Sequence, residues 1–135
     1  MTTLRHAIKI AANQTAVFDA LTDLDQMAQW HLGTVSGAMA EGQTLVLDPK
    51  PGQRFAWRTE TLQAPTSVVQ TAVEGSGTSP GRTLSFELAP AADGRTVVTL
   101  TDGTWADDDP HLAFCNTHWG EVLVRLKAHV ESDRS

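Results

Sequence analysis

The sequence has a single cysteine, Cys115, no tyrosine and no excess of basic residues. One cysteine excludes an internal disulfide and fits a reducing compartment, so we expect a cytoplasmic protein. A formal net charge of −6 argues against a nucleic-acid partner, because surfaces that bind nucleic acids are basic. No apolar run approaches the roughly 20 residues of a membrane helix, and the start of the chain alternates instead of forming the apolar core of a secretory signal. We therefore expect no membrane insertion.

The length of 135 residues is sufficient for one folded domain with a substantial core. The hydrophobic fraction of 41% and the charged fraction of 19% are typical of globular proteins. We find no internal repeat, low-complexity tract or linker. Residues 1–135 are therefore predicted to form a single domain.

Two short helices are predicted close to the start of the chain. Asn13 has the side chain of a helix N-cap, and Asp23 followed by Gln26 resembles a capping box at the start of the second helix. Apolar residues recur at helical spacing in both segments: Val17, Phe18, Leu21, Leu24, Met27 and Trp30. Each helix therefore has one face to bury.

Most of the remaining chain alternates apolar and polar residues, which predicts strands. The predicted strands are Leu4–Ile10, Thr34–Met39, Gln43–Asp48, Gln53–Leu62, Ser67–Glu74, Arg82–Ala89 and Arg95–Asp102. Gly75–Gly81 is predicted as a hairpin tip, and Asp93-Gly94 is a strong hairpin turn. These short connections predict an antiparallel meander of about six or seven strands.

A long helix is predicted at the end of the chain. Asp109 is its expected cap, with Pro110 at the first helical position. One apolar stripe follows: Leu112, Cys115, Trp119, Val122, Leu123, Leu126 and Val130. A helix of about twenty residues is roughly 30 Å long, enough to cross a small sheet.

The order and spacing of several segments resemble a known superfamily. These segments are Val17–Asp23, Met27–Trp30, Leu84–Leu88, Gly94–Val97, and Trp119-Gly120 with Leu123 and Leu126-Lys127. The chain resembles the START-like superfamily (SRPBCC, helix-grip fold), and within it the bacterial proteins similar to the activator of heat-shock-protein ATPase. The resemblance implies an α+β fold, in which a curved antiparallel sheet wraps around a long C-terminal helix and two short helices follow strand 1. It also implies a cavity between the sheet and that helix.

The same resemblance leaves several functions open, because the superfamily includes lipid carriers, polyketide cyclases and co-chaperones. We expect a binding protein for a small hydrophobic or amphipathic molecule, with no cofactor, acting as a monomer or homodimer. One alternative is a cyclase, dehydratase or hydrolase that uses His118 with Asp102 or His31. Another is an interaction module for a chaperone ATPase. It ranks lower because the chaperone activator uses an additional N-terminal domain.

The expected ligand site consists of aromatic side chains and two residues of the last helix. Indole rings offer flat apolar walls with one hydrogen-bond donor. Trp30 and Trp105 are expected near the mouth, and the complete predicted set is Trp57, Trp119, Phe55, Trp105, Trp30, Cys115 and His118. In an enzyme, His118 and Asp102 would be the catalytic candidates.

The remaining polar motifs have simpler interpretations. Cys115 and His118 supply only two of the ligands that zinc needs, so no metal site is expected. Asp107, Asp108 and Asp109 lack the spacing of a calcium loop and are interpreted as a solvated segment before the last helix. Nothing near Cys115 in sequence would depress its pKa, so we expect an inert thiol.

Overall fold

The predicted α+β architecture is present in the computed structural model, which describes residues 2–31, 33–50, 53–74 and 81–132. Seven strands and three helices follow one another in the described residues. In chain order they are β1 (Thr2–Ile10), α1 (Gln14–Thr22), α2 (Leu24–Trp30), β2 (Thr34–Gly37), β3 (Thr44–Lys50), β4 (Gln53–Gln63), β5 (Ser67–Glu74), β6 (Thr83–Pro90), β7 (Thr96–Trp105) and α3 (Pro110–Ser132).

The strands form one curved antiparallel sheet in the order β1-β7-β6-β5-β4-β3-β2. Strands β2 to β7 each pair with their neighbours in sequence, and β1 joins the far edge beside β7. The predicted meander is therefore confirmed. Strand β7 continues to Trp105, three residues beyond the predicted end at Asp102. The predicted hairpin tip at Gly75–Gly81 lies outside the described residues except for Gly81.

Both short helices have the predicted N-caps. The Asn13 side chain accepts a hydrogen bond from the backbone N–H of Ala16, and Asp23 accepts one from the N–H of Asp25. The predicted capping box is wrong in its second half, because Gln26 does not reach back to Asp23. The Gln26 Oε1 lies 3.0 Å from the Nε2 of His129 on α3. Gln26 therefore contacts His129, which the tertiary fold brings close, in place of the backbone N–H of Asp23.

The long helix α3 packs through its C-terminal half on β1 and on the two short helices. The backbone N–H of His111 donates to Asp109, which caps the helix as predicted. Farther along, Arg125 donates to the carbonyl oxygen of Trp30, and Lys127 donates to that of Lys9. Its fully covered residues all lie beyond the second turn: Trp119, Val122, Leu123, Leu126 and Val130.

The first turns of α3 are less covered than the rest. Leu112 and Cys115 belong to the same apolar stripe but are only partly buried. The sheet and the helix therefore separate at this end, which leaves space beside the stripe. Within the described residues, none of the helices offers the continuous apolar length that a bilayer crossing requires.

Candidate functional site

A cleft of about 320 Å³ lies between the first half of α3 and the strands β4, β5 and β7. Its volume is at the lower end of the range usual for small-molecule sites. The lining residues are Phe55, Trp57, Ala72, Glu74, Asp102, His111, Phe114, Cys115, His118 and Trp119. Five of these ten were predicted as ligand-binding residues: Trp57, Trp119, Phe55, Cys115 and His118.

Aromatic rings form a continuous wall along the cleft. Phe55 and Trp57 of β4 are stacked, with 5.8 Å between ring centroids and 16° between planes. Trp57 meets Trp119 of α3 at 6.1 Å and 55°. His118 lies 6.3 Å from Phe55 and 5.4 Å from Trp119. Strand β4 and helix α3 thus present their rings to the same space.

The interface beneath this wall is almost completely filled. A void of about 10 Å³ remains behind Trp57 and Trp119, beside Trp30 and His31. Such a volume holds at most one water molecule. We expected the hollow to lie where the helix crosses the sheet. The structure instead places the larger space near the beginning of α3.

A β-bulge begins at Asp102, whose side chain faces the cleft through the alternation of β7. Thr3 pairs with Thr104 and Arg5 pairs with Thr101, so two residues of β7, Asp102 and Gly103, lie opposite one residue of β1. Gly103 has a φ of +64°, which glycine adopts without strain. Bulges of this kind re-aim side chains and are frequent beside functional sites.

The carboxylate of Asp102 is buried and only partly satisfied. Its Oδ2 accepts a hydrogen bond of 2.9 Å from the indole N–H of Trp119, and its backbone carbonyl accepts one of 2.6 Å from the N–H of Trp105. No hydrogen bond to Oδ1 is present among the described residues. Burial raises the pKa of Asp102, while the Trp119 bond and the charge of Arg82 act in the opposite direction. One oxygen of a residue that lines the cleft is therefore left for a ligand.

The charge of Arg82 acts on this carboxylate, but the direct contacts of Arg82 are with other groups. Its guanidinium carbon lies 3.4 Å from the centroid of the Trp105 ring. Its NH2 group lies 3.7 Å from Asp109, and its Nε donates to the carbonyl oxygen of Thr104. Arg82 therefore braces the start of α3 against β7 and is not among the lining residues of the cleft.

Two titratable groups of α3 in the cleft, His118 and Cys115, are uncharged near neutral pH. Burial lowers the pKa of His118, so its imidazole is neutral and can accept a proton. Burial, helped by the charge of Asp102, raises the pKa of the Cys115 thiol to about 11. Cys115 is therefore a weak nucleophile, in agreement with the inert thiol expected from the sequence.

Two predicted site residues lie elsewhere. Trp30 and Trp105 are almost completely buried and do not line the cleft. The expectation that they lie near the mouth is wrong. The N–H of Trp30 donates to the carbonyl oxygen of Ala20, so this indole joins α1 to α2. His31, the alternative partner of His118, is buried beside the small inner void.

Four lining residues were not predicted from the sequence: Ala72, Glu74, His111 and Phe114. The spacing of His111, Cys115 and His118 is a helical signal that could have identified the first of these positions on α3. Glu74 has no comparable signal, because it lies at the exposed end of β5. Among the described residues, no three His, Cys, Asp or Glu side chains come together in a way that could hold a metal ion.

Two substitutions at Asp102 test the role of the buried hydrogen bond. Asp102→Ala is expected to lower the free energy of unfolding by about 1 to 3 kcal/mol, because the N–H of Trp119 loses its acceptor. Asp102→Asn keeps an acceptor and carries no charge. Because burial raises the pKa of Asp102, the native state resists its ionisation, and the Asn variant should be at least as stable as the wild type at pH 7. Urea unfolding measures both variants, and equal losses would contradict this account.

The chain is similar to known proteins that have the same architecture. Residues 11–131 match the family model described as Activator of Hsp90 ATPase homolog 1-like protein (AHSA1). No curated protein matches the chain. The solved structure of the Aha1 dimer from Colwellia psychrerythraea is similar, with 27% sequence identity, a TM-score of 0.87 and 97% of each chain covered.

Two more distant structures share the fold. DynU16, from the dynemicin biosynthetic locus, has 21% identity and a TM-score of 0.81 over 97% of this chain and 48% of its own. PFC0360w, described as an HSP90 activator from Plasmodium falciparum, has 13% identity and a TM-score of 0.78, with 95% of each chain covered. The match to the family model spans most of the sequence. The chain therefore belongs to the AHSA1-like family of the START-like superfamily.

Proposed function

We propose that this protein binds a small amphipathic molecule in the cleft between α3 and the sheet. The observation that carries the proposal is the space of about 320 Å³ between Phe55, Trp57 and Trp119. Apolar walls that meet a few polar groups are the usual composition of a small-molecule site. Here the polar groups are Asp102 and His118.

A bound ligand would cover apolar surface that the cleft now exposes to water. Phe55 and Cys115 are partly buried, and Phe114, beside them in the cleft, is 77% exposed. A ligand with an apolar body would remove this surface from water, at roughly 25 cal/mol per Å² of apolar surface covered. The cleft is already formed, so little of this gain would be spent on ordering the protein.

A neutral fluorescent probe tests the proposal. Prodan is a small naphthalene dye that absorbs where tryptophan emits. We expect saturable energy transfer from the indoles, with one probe bound per chain. Filling the cleft with Cys115→Phe should abolish the transfer. Ala128→Phe adds the same ring on the exposed opposite face of α3 and is the matched control.

The result that would contradict the proposal is equally specific. Binding that persists unchanged in Cys115→Phe would place the probe outside the cleft. A lack of saturation in the wild type would show that the cleft does not bind apolar molecules of this size. Circular dichroism must first show that both Phe variants are folded.

Family membership favours a second candidate, interaction with a chaperone ATPase. The matching family model and the description of PFC0360w both refer to Hsp90 activation. The test is the ATP hydrolysis rate of a purified bacterial Hsp90 with and without this chain. A several-fold, saturable stimulation that survives Cys115→Phe would favour the interaction module. An unchanged rate would exclude it for that chaperone.

We also propose a cytoplasmic location, supported by the single, partly buried cysteine. The oligomeric state is proposed to be monomer or homodimer, since the similar Colwellia protein is described as a dimer. Size-exclusion chromatography with light scattering distinguishes the two states.

A further inference from the structure

We propose that the cleft selects amphipathic cations, with an apolar body against Trp57 and Trp119 and a protonated amine against the Asp102 carboxylate. This inference rests on the proposed binding function and adds the chemical class of the ligand. It follows from the charges that line the cleft, the aromatic faces beside them and the unused oxygen of Asp102.

Two acidic side chains line the cleft. Asp102 lies at its inner end, and Glu74, which is exposed, lies on the same lining. No lysine or arginine is among the described lining residues. An anionic ligand would therefore be placed beside two carboxylates with no lysine or arginine in the cleft to offset them. A cationic ligand would instead be attracted to both carboxylates.

Asp102 is equipped to bind a donor. Its side chain is held by the N–H of Trp119 on one oxygen, and the residue is only 8% exposed. A buried carboxylate that lacks an ion pair carries a desolvation cost. Asp102 forms no salt bridge among the described residues; Arg82, whose charge acts on Asp102, contacts Asp109 and the Trp105 ring. An ammonium group in the cleft would add a direct ion pair and donate to the unused oxygen.

The aromatic wall favours the same ligand. Cations are attracted to the faces of Trp and Phe rings within about 6 Å of the centroid, and the attraction grows when water is excluded. Three such rings, Phe55, Trp57 and Trp119, adjoin one another in this cleft. The neutral imidazole of His118 adds an acceptor and no opposing charge.

Three probes that share the same apolar body distinguish a preference for cations from a preference for neutral or anionic ligands. They are 1-adamantylmethylamine, 1-adamantylmethanol and 1-adamantanecarboxylate, none of which absorbs where indole is excited. Binding at pH 7 is measured by calorimetry and by tryptophan fluorescence. We expect the amine to bind at least about tenfold more tightly than the carboxylate, with the alcohol between them. Asp102→Asn should reduce the affinity for the amine about tenfold, to that of the alcohol, and change the alcohol little.

Glu74→Gln removes the other acidic charge at an exposed position and is the second variant. It should weaken amine binding less than Asp102→Asn, since exposed charges are screened.

An alcohol or carboxylate that binds as tightly as the amine would overturn the inference and leave the proposed function standing. The same holds if amine affinity is unchanged in a folded Asp102→Asn protein. If none of the three probes binds while prodan does, the cation preference is overturned; if prodan also fails, the proposed function is overturned with it.

Discussion

Lowering the pH from 7 to 4.5 is expected to destabilise the protein by about 2 to 3 kcal/mol through His31 alone. His31 is buried, and its ring is stacked on Trp30 with 4.0 Å between centroids. Burial lowers the pKa of His31 from 6.5 to about 3, and the nearby charges of His118 and Arg125 act in the same direction. The folded protein therefore keeps this imidazole neutral across most of the acidic range.

Acid lowers the stability because the unfolded chain takes up a proton at His31 more readily than the folded protein does. Below the ordinary pKa of 6.5, the unfolded chain protonates His31 and the folded chain does not. Acid therefore favours the unfolded state progressively as the pH falls from about 6.5 to about 3. Each pKa unit corresponds to 1.36 kcal/mol, so the full loss at pH 3 is roughly 4 kcal/mol. Below the folded-state pKa this contribution stops growing.

His31→Phe isolates the effect, because phenylalanine keeps a flat ring over Trp30 and cannot bind a proton. Urea unfolding at pH 7 and pH 4.5 gives the free energy of unfolding of both proteins. The variant should lose about 2 to 3 kcal/mol less than the wild type over this interval. Parallel losses in the two proteins would show that other groups govern acid sensitivity. At pH 7 the two stabilities should differ by less than about 1.5 kcal/mol, since the substitution conserves volume approximately.

Strand alternation and helical spacing were sufficient to predict most of the fold. The period-two pattern of β5, for example, buries Val68, Gln70 and Ala72 on one face as alternation requires. The caps at Asn13, Asp23 and Asp109 are local interactions, which short sequence motifs encode. Gln26 was mispredicted because its partner, His129, is distant in sequence. A local sequence motif does not reveal that a residue distant in sequence will contact the same side chain.

Trp105 shows why part of the predicted site was wrong. Continued alternation along β7 would bury Asp102 and turn Trp105 to the opposite face. The bulge at Asp102 and Gly103 adds one residue, so Trp105 returns to the buried side. Similarly, Cys115 and Val122 belong to one apolar stripe, yet only Val122 is fully covered. Which part of a stripe is covered depends on where the sheet curves away, and the sequence pattern is the same in both parts.

Replacing Trp119 is expected to have the other large effect. Trp119 is buried, donates to Asp102, and packs edge-on against Phe86 with 6.1 Å between centroids. Trp119→Ala should lower the free energy of unfolding by about 3 to 5 kcal/mol, the usual cost of removing a large buried ring. It would also join the cleft to the small void behind it, because Trp119 lines both. Urea unfolding measures the loss.

Trp119→Phe and Trp105→Phe form a matched pair that separates stability from binding. Each variant removes one indole N–H that donates to Asp102. The N–H of Trp119 donates to the carboxylate, and the N–H of Trp105 donates to the backbone carbonyl. Both should lose about 1 to 3 kcal/mol of stability. Only Trp119 lines the cleft, so only Trp119→Phe should weaken prodan binding. Binding is compared by the probe concentration at half-saturation, because each variant also removes one energy-transfer donor.

The comparison depends on Asp102, which Trp119 contacts through the carboxylate and Trp105 through the backbone carbonyl. Removing the Trp119 bond takes away an interaction that lowers the pKa of Asp102, so this residue becomes harder to ionise in the folded protein. Amine binding should then fall together with prodan binding in Trp119→Phe, whereas Trp105→Phe should keep both. If the Trp105 variant loses binding to the same extent, the cleft depends on the general integrity of β7. If neither variant changes binding, Trp119 does not contact the ligand.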